Sequence, residues 1–372
     1  MKGYLLLLVI AAAVTYLATP LARRLAIGTH AWTPVRSRDV HSIPTPRMGG
    51  VAMVIGLTVA LLIGSQMSYL SQALTEGNRL IGIIGCAWLV CLLGMADDIW
   101  DLDWMTKLAG QILVGVMLAY SGVQLVTIPI GGLTIGSSRF SLFTTVLVVV
   151  AAMNAVNFVD GLDGLAAGMV GIGAAAFFGY CYLLTRTVSP ENYASLATAV
   201  AAVLVGICLG FLPFNFHPAR IFMGDAGAMV LGLMVAAATI IVTGTIDPAR
   251  VPATQAAPVF VPLLLPVAII LLPLLDMLLA VVRRMRAGHS PFHADRMHLH
   301  HRLLDLGHSH RNAVLIMYLW TAIVAASAAS LILLPWQHVA LGTAIAAGLG
   351  IVITQNWLRR RRPDPVAKGQ HP

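Results

Sequence analysis

The sequence predicts an all-α polytopic membrane protein of about eleven transmembrane helices, and three observations carry that expectation. The 372-residue chain is 58% hydrophobic and 10% charged, with a mean hydropathy of +0.85, whereas soluble domains hold roughly 25% charged residues. Apolar stretches of spanning length recur along nearly the whole chain. Lys and Arg are divided very unevenly between alternate loops.

A bilayer-crossing helix needs roughly 17–25 mostly apolar residues. Eleven stretches meet this: 3–19, 49–66, 79–96, 105–121, 140–157, 164–185, 193–212, 226–246, 258–281, 312–334 and 337–356. The first lacks a basic flank and a cleavage site, so it reads as a retained span. The ninth carries Pro258, Pro262, Pro266 and Pro273; each proline removes a backbone donor, which predicts a bent or split helix. Residues 125–135 alternate around Gly131-Gly132 and read as a small external β-hairpin. Cys86, Cys91, Cys181 and Cys208 all lie inside apolar runs and read as small packing residues. Residues 1–358 thus form one integral membrane domain. The tail 359–372, with Arg359 to Arg362 followed by Pro363 and Pro365, reads as disordered, its basic run suited to anionic headgroups of the lipid bilayer and not to nucleic acid.

Eighteen of the 23 Lys and Arg residues fall in one set of alternate loops; only Lys2, Arg79, Arg139, Arg186 and Arg250 fall in the other. The positive-inside rule puts the first set in the cytoplasm. The N-terminus is then outside and the C-terminus cytoplasmic, which an odd number of spans satisfies. The expected location is the cell inner (plasma) membrane, multi-pass.

The 15 Asp and Glu residues are the sharper clue, because most lie in short polar seams between apolar runs. Charge at the ends of spans is costly and is usually kept for function. Asp97-Asp98 closes the third span. Adjacent helical residues point about 100° apart, so one carboxylate can face a site while a partner holds the other; the pair reads as an interfacial cap, a general base or a magnesium-supporting pair. Lys107 follows at the start of the next span and can return to the same place as a phosphate contact. Asn157 to Gly164 joins the fifth and sixth spans, and its Asp160-Gly161 and Asp163-Gly164 steps are turn chemistry. Asp163 also stands where it can cap the next helix. Asp225 opens the eighth span within Phe222-Met-Gly-Asp225, as an N-cap or, with Asn157 and the other carboxylates, as part of a hard-cation site. The loop from Ser290 to Arg302 interleaves His293, His298, His300 and His301 with Arg296. That pattern suits diphosphate recognition, with zinc as the alternative. Asp276, inside the ninth span, has no evident role beyond satisfying neighbouring helices. By orientation all three seams and the His-rich loop share the cytoplasmic face.

Five ordered motifs resemble the polyprenyl-phosphate N-acetylhexosamine-1-phosphate transferase family (WecA, TagO and MraY). They are Pro44-Thr-Pro-Arg-Met-Gly-Gly50, Asp97-Asp98 with Lys107, Asn154 to Gly168, Gly210 to Asp225, and His298-Leu-His-His301. The His-Leu-His-His form and Leu306-Gly-His-Ser-His-Arg311 resemble the WecA/TagO branch; MraY proteins typically show three consecutive histidines and ten spans. Ala228 stands where the family often has Ser.

The resemblance implies transfer of N-acetylglucosamine-1-phosphate from UDP-GlcNAc to a membrane polyprenyl phosphate (undecaprenyl or decaprenyl phosphate). The products are UMP and polyprenyl-diphospho-GlcNAc, in the first membrane step of cell-envelope polysaccharide synthesis. It implies a Mg2+-dependent enzyme, with Mn2+ as a substitute, and admits a homodimer. It places Asp225 and Asn157 on the metal and Asp97 and Asp98 at the acceptor phosphate as the catalytic pair. Lys107, Arg296, His298, His300 and His301 hold donor phosphates, and Asp160, Asp163, Asn215 and Phe222 line the nucleotide site. The alternatives are the phospho-MurNAc-pentapeptide transferases of the same family and, in a different class, a polytopic transporter. Transporters keep their charged groups near the bilayer midplane on broken helices, whereas these carboxylates sit at span ends.

Overall fold

A computed structural model describes residues 1–32, 45–125, 137–188, 195–245, 285–286 and 309–359. Its described residues form eleven helices in the order α1 (Lys2–Gly28), α2 (Gly49–Gln66), α3 (Ser71–Thr75), α4 (Arg79–Trp100), α5 (Trp104–Tyr120), α6 (Ser138–Val159), α7 (Leu165–Val188), α8 (Leu196–Asn215), α9 (Gly224–Thr245), α10 (His310–Ser330) and α11 (Trp336–Arg359). Nine are long and apolar enough to cross a membrane, and α5 is a shorter apolar helix of the kind. Ten of the eleven predicted spans therefore coincide with observed helices. The proline-rich ninth, 258–281, lies outside the described residues, as do residues 126–135 of the expected hairpin, nearly all of the tail, and Arg296, His298, His300 and His301. Among the described residues there is no strand, only an isolated bridge between Trp32 and Pro46. The short helix α3 is an addition that its five residues were too few to announce.

The helices overrun the predicted ends at the polar seams. The fourth helix continues to Trp100, so Asp97 and Asp98 sit on its last turn and not beyond it. Asp101 then adopts a left-handed conformation, with φ 51°, and the chain reverses in three residues. The Asp103 carboxylate accepts hydrogen bonds from the backbone N–H groups of Met105 and Thr106 at 3.0 and 3.1 Å, capping α5. This tight reversal returns Lys107 to the level of Asp97.

The ninth helix is the axis of the bundle. It is buried along its whole spanning length, whereas α11 is almost entirely open to its surroundings. It packs against α2, α4, α6 and α8, while α1 packs on α2 and α8, and α10 on α7 and α11. In a bilayer, helices associate through close packing of small residues more than through a hydrophobic drive. Gly50 illustrates this: a Cβ there would collide with the backbone of Gly227. The exposed apolar residues of α1, α5 and α11, among them Leu17, Leu113 and Leu341, are what a lipid-facing surface requires. All four cysteines are buried and free, in keeping with their reading as packing residues.

Candidate active site

The seams converge at one end of the bundle, where α4 and α6 end and α5 and α9 begin. Lys107 is the meeting point. Its Nζ lies 3.0 Å from Asp97 Oδ2 and 3.6 Å from Asp225 Oδ2, and the carboxyls of Asp97 and Asp225 are in hydrogen-bond contact. Asn157, on the last turn of α6, hydrogen-bonds Asp225 through its side chain. The second Asp97 oxygen accepts the Leu102 backbone N–H at 2.9 Å.

Asp98 does something different. It reaches across to α9 and accepts the backbone N–H groups of Asp225 (3.1 Å) and Ala226 (3.4 Å), 127 and 128 residues away. It is thus the N-cap of a helix to which it does not belong, set against the positive end of that helix. Gly224 makes this approach feasible. Its φ is +68°, and a Cβ there would strike the Asp98 carboxylate. The Pro44–Gly50 motif has a structural role at the same spot: Phe222 N–H donates to Pro46 O (2.9 Å), and the N–H groups of Gly49 and Gly50 donate to Phe222 O and Met223 O (both 3.0 Å). These bonds hold the chain entering α9, leaving the Phe222 ring partly buried.

Asp160 lies just beyond α6. Burial, and then the negative charge of Asp225, push its carboxyl up to about 7, with Arg47 pulling in the opposite direction. Four carboxyl groups, those of Asp97, Asp98, Asp160 and Asp225, thus gather around two cations among the described residues, Lys107 and Arg47.

Asp163 and Asn215 belong to a neighbouring, closed cluster. Asn215 is 1% exposed; its Oδ1 accepts the Gly164 N–H (3.1 Å) and its Nδ2 donates to Ile221 O (3.0 Å). Asp163 is equally buried, and its Oδ2 lies 2.8 Å from His217 Nδ1 and accepts the Ala219 N–H at 3.0 Å. His310 accepts the Asp163 N–H through Nε2 at 3.1 Å and stacks on His217 with centroids 4.4 Å apart. Arg311 donates to His217 O, and Tyr318 to Gly164 O. Asp163, His217 and His310 place one potential ligand atom each within 4.8 Å of one another. The His310 Nε2 lone pair and Asp163 Oδ2 are already engaged in hydrogen bonds, however, so the three form a knot that ties α10 to the α6–α7 turn. Sequence reasoning quoted His310 and Arg311 only within a motif and passed over Tyr318 altogether.

A cavity of about 410 Å³ opens beside the first cluster, lined by Trp104, Lys107, Leu108, Gln111, Asn154, Asn157, Asp225 and Met229. Gln111 and Asn154 were given no role from sequence. The signal was present as spacing: Gln111 is i+4 from Lys107 and Asn154 is i−3 from Asn157, so each shares a helix face with a seam residue.

A sequence profile described as glycosyl transferase family 4 matches residues 80–243, which contain most of the first cluster and Asp163, Asn215 and His217 of the second. The decaprenyl-phosphate N-acetylglucosaminephosphotransferase of Mycolicibacterium smegmatis is 45% identical over 358 residues, covering 95% of this chain and 88% of that protein. The probable undecaprenyl-phosphate N-acetylglucosaminyl 1-phosphate transferase of Bacillus subtilis is 30% identical over 315 residues, covering 83% and 80%. The phospho-N-acetylmuramoyl-pentapeptide-transferase of Desulforudis audaxviator is 29% identical over 263 residues, covering 62% and 75%. Likeness of this extent sets the transporter alternative aside. With the five motifs and the clustered seams, it shows that the chain belongs to glycosyl transferase family 4, the family of the polyprenyl-phosphate N-acetylhexosamine-1-phosphate transferases.

Proposed function

We propose that this protein transfers N-acetylglucosamine-1-phosphate from UDP-GlcNAc to a polyprenyl phosphate, of which decaprenyl phosphate is the acceptor named in its 45%-identical relative. The carrying observation is the convergence of Asp97, Asp225 and Asn157 on Lys107, beside a cavity that Trp104, Leu108 and Met229 also line. A lipid-linked phosphate and a soluble nucleotide must meet at such an interface. The lipid phosphate oxygen attacks the β-phosphorus, the P–O bond to the α-phosphate breaks, and UMP leaves; the anomeric C–O bond is untouched.

The cluster fits Mg2+. Its donors are hard oxygens, and its carboxyl groups outnumber the described cations beside them. Asp225 and Asn157 would hold the ion, with Asp97 alongside, and bound magnesium would neutralise diphosphate charge. The other contributions come from the chain itself. Phosphoryl transfer is mainly positioning and charge neutralisation. A phosphate monoester has its second pKa near 6, so the nucleophile arrives largely ionised and needs no proton acceptor. Asp97 then serves by fixing Lys107, and Asp98 by fixing the start of α9, where Asp225 stands. Lys107 offers its ammonium to phosphate oxygens. Asp160 and Phe222 border the nucleotide, while Asp163 and Asn215 set the turn that carries Asp160. Arg296, His298, His300 and His301 remain the proposed partners of the donor phosphates. We place the site on the cytoplasmic face, because Arg23, Arg220 and Arg311 sit at the same end of the bundle as the seams, where Arg23 Nε donates to Arg220 O at 3.1 Å.

The test is UMP release from purified protein with magnesium, polyprenyl phosphate and either UDP-GlcNAc or the muramoyl-pentapeptide donor. We expect UMP from UDP-GlcNAc alone; release only from the muramoyl donor would transfer the assignment to the other branch.

A further inference from the structure

The cavity beside Lys107 is built in two levels. α5, α6 and α9 each supply one residue to an outer level and one to an inner level, a helical turn deeper. The outer level is Lys107, Asn157 and Asp225; the inner is Gln111, Asn154 and Met229. Four residues of helix rise about 6 Å, so the inner level lies about that much further along the spanning helices.

The hydrogen bonds of the inner level are lopsided. Asn154 Nδ2 donates to Gln111 Oε1 (2.6 Å) and to Val150 O (2.8 Å), using both of its hydrogens. Gln111 is only 4% exposed, yet among the described residues the one acceptor its Nε2 meets is the Met229 thioether, at 3.4 Å. Sulfur is a weak acceptor, and a buried amide without a proper partner costs about 1–3 kcal/mol. Amide groups at membrane depth that serve only to join helices find good partners in each other. Here Asn154 orients the Gln111 amide, whose donor end meets only sulfur, and Gln111 lines the cavity one turn inward from Lys107.

On the functional reading given above, we propose that Gln111, oriented by Asn154, binds a phosphate oxygen of the polyprenyl phosphate acceptor and holds it for attack from the membrane side. The two levels then divide the substrates. The outer level takes the donor diphosphate, whose charge needs cations. The inner level takes the acceptor, whose ionised oxygen accepts a charge-assisted hydrogen bond from a neutral amide. The prenyl chain would leave past Leu108 and Trp104, both on the cavity wall.

The experiment compares wild type with Gln111→Met and Gln111→Glu in detergent micelles. Two readouts are used: thermal shift on adding undecaprenyl phosphate, undecaprenol or inorganic phosphate, and steady-state UMP release with each substrate varied. We expect undecaprenyl phosphate to stabilise wild type more than undecaprenol does, inorganic phosphate to do little, and both variants to lose the difference between the two lipids. In turnover, KM for the lipid phosphate should rise about tenfold, with KM for UDP-GlcNAc within about twofold of wild type, the size expected for one charged hydrogen bond. A KM rise shared by both substrates, or an intact preference for the phosphorylated lipid in either folded variant, overturns the proposal and leaves Gln111 as a helix clamp. An equal shift with inorganic phosphate overturns it as a lipid site. If wild type releases no UMP, the transferase reading fails, while the thermal-shift arm still decides whether Gln111 recognises the phosphate.

Discussion

Two carboxylates at the same end of the bundle, Asp225 and Asp163, have opposite surroundings. Asp225 keeps 23% of its side chain exposed and shares one lysine with Asp97. Asp163 is 1% exposed and is held by a backbone N–H and an imidazole. The first belongs to a group with more carboxyl groups than described cations, beside an open cavity; the second belongs to a knot that is closed on itself. Both sit in motifs of similar appearance, a Gly-Asp or Asp-Gly at a span end, so sequence distinguishes them poorly. What separates them is whether the carboxylate is enclosed by partners within the fold. An accessible cluster of carboxyl groups invites a cation, whereas a buried carboxylate enclosed by hydrogen-bond partners holds loops together.

The comparison breaks most visibly at Asp225. Asp225→Ala should lower UMP release by about 10³-fold, the upper range for losing a single electrostatic contact at a reacting phosphate, and should remove the response to added magnesium. A variant retaining wild-type rate and magnesium dependence would show that the metal assignment is wrong. A smaller effect, of a different kind, is expected at the knot. His310→Leu leaves the Asp163 N–H without its acceptor, at a cost of about 1–3 kcal/mol. It should lower the Tm in detergent while leaving the magnesium concentration for half-maximal activity unchanged. A shift in that magnesium requirement would join the two clusters that the structure keeps apart.

The smallest effect concerns Asp160, which stands between them. Its raised carboxyl, up to about 7, binds a proton more tightly in the folded chain than in the unfolded one. Stability from this group is therefore full at acid pH and is lost as pH rises from the ordinary carboxylate range through about 7. Asp160→Asn removes that loss. With chelator present, its Tm advantage over wild type should grow as pH rises from about 5 through 7 and level off above about 8. An advantage that is constant across this range would place Asp160 outside the charged cluster.

Much of this was legible in the chain alone. Ten of eleven predicted spans are helices because, at membrane depth, each backbone N–H and C=O must be satisfied within its own segment, and a long apolar run makes that a local matter. The motif residues Asp97, Lys107, Asn157 and Asp225 were also picked out individually, since charged and amide side chains next to an apolar span are conspicuous in sequence. The helix ends were less legible. α4 carries Asp97 and Asp98 on its last turn because the Asp101 reversal and the Asp103 cap lie further along than the apolar run suggests.

Apolar lengths and charge positions determined by themselves that this is a membrane bundle with its acids at span ends, because both follow from the local free energy of transfer to lipid. Only the tertiary structure decided which acid does what. Asp98 caps α9 from 127 residues away, Gln111 meets Asn154 across two helices, and His310 closes on Asp163 from 147 residues away. Each pairing depends on how the helices are rotated and how closely they approach. That is set by the fit of small residues such as Gly50 against Gly227, and no single segment contains that information.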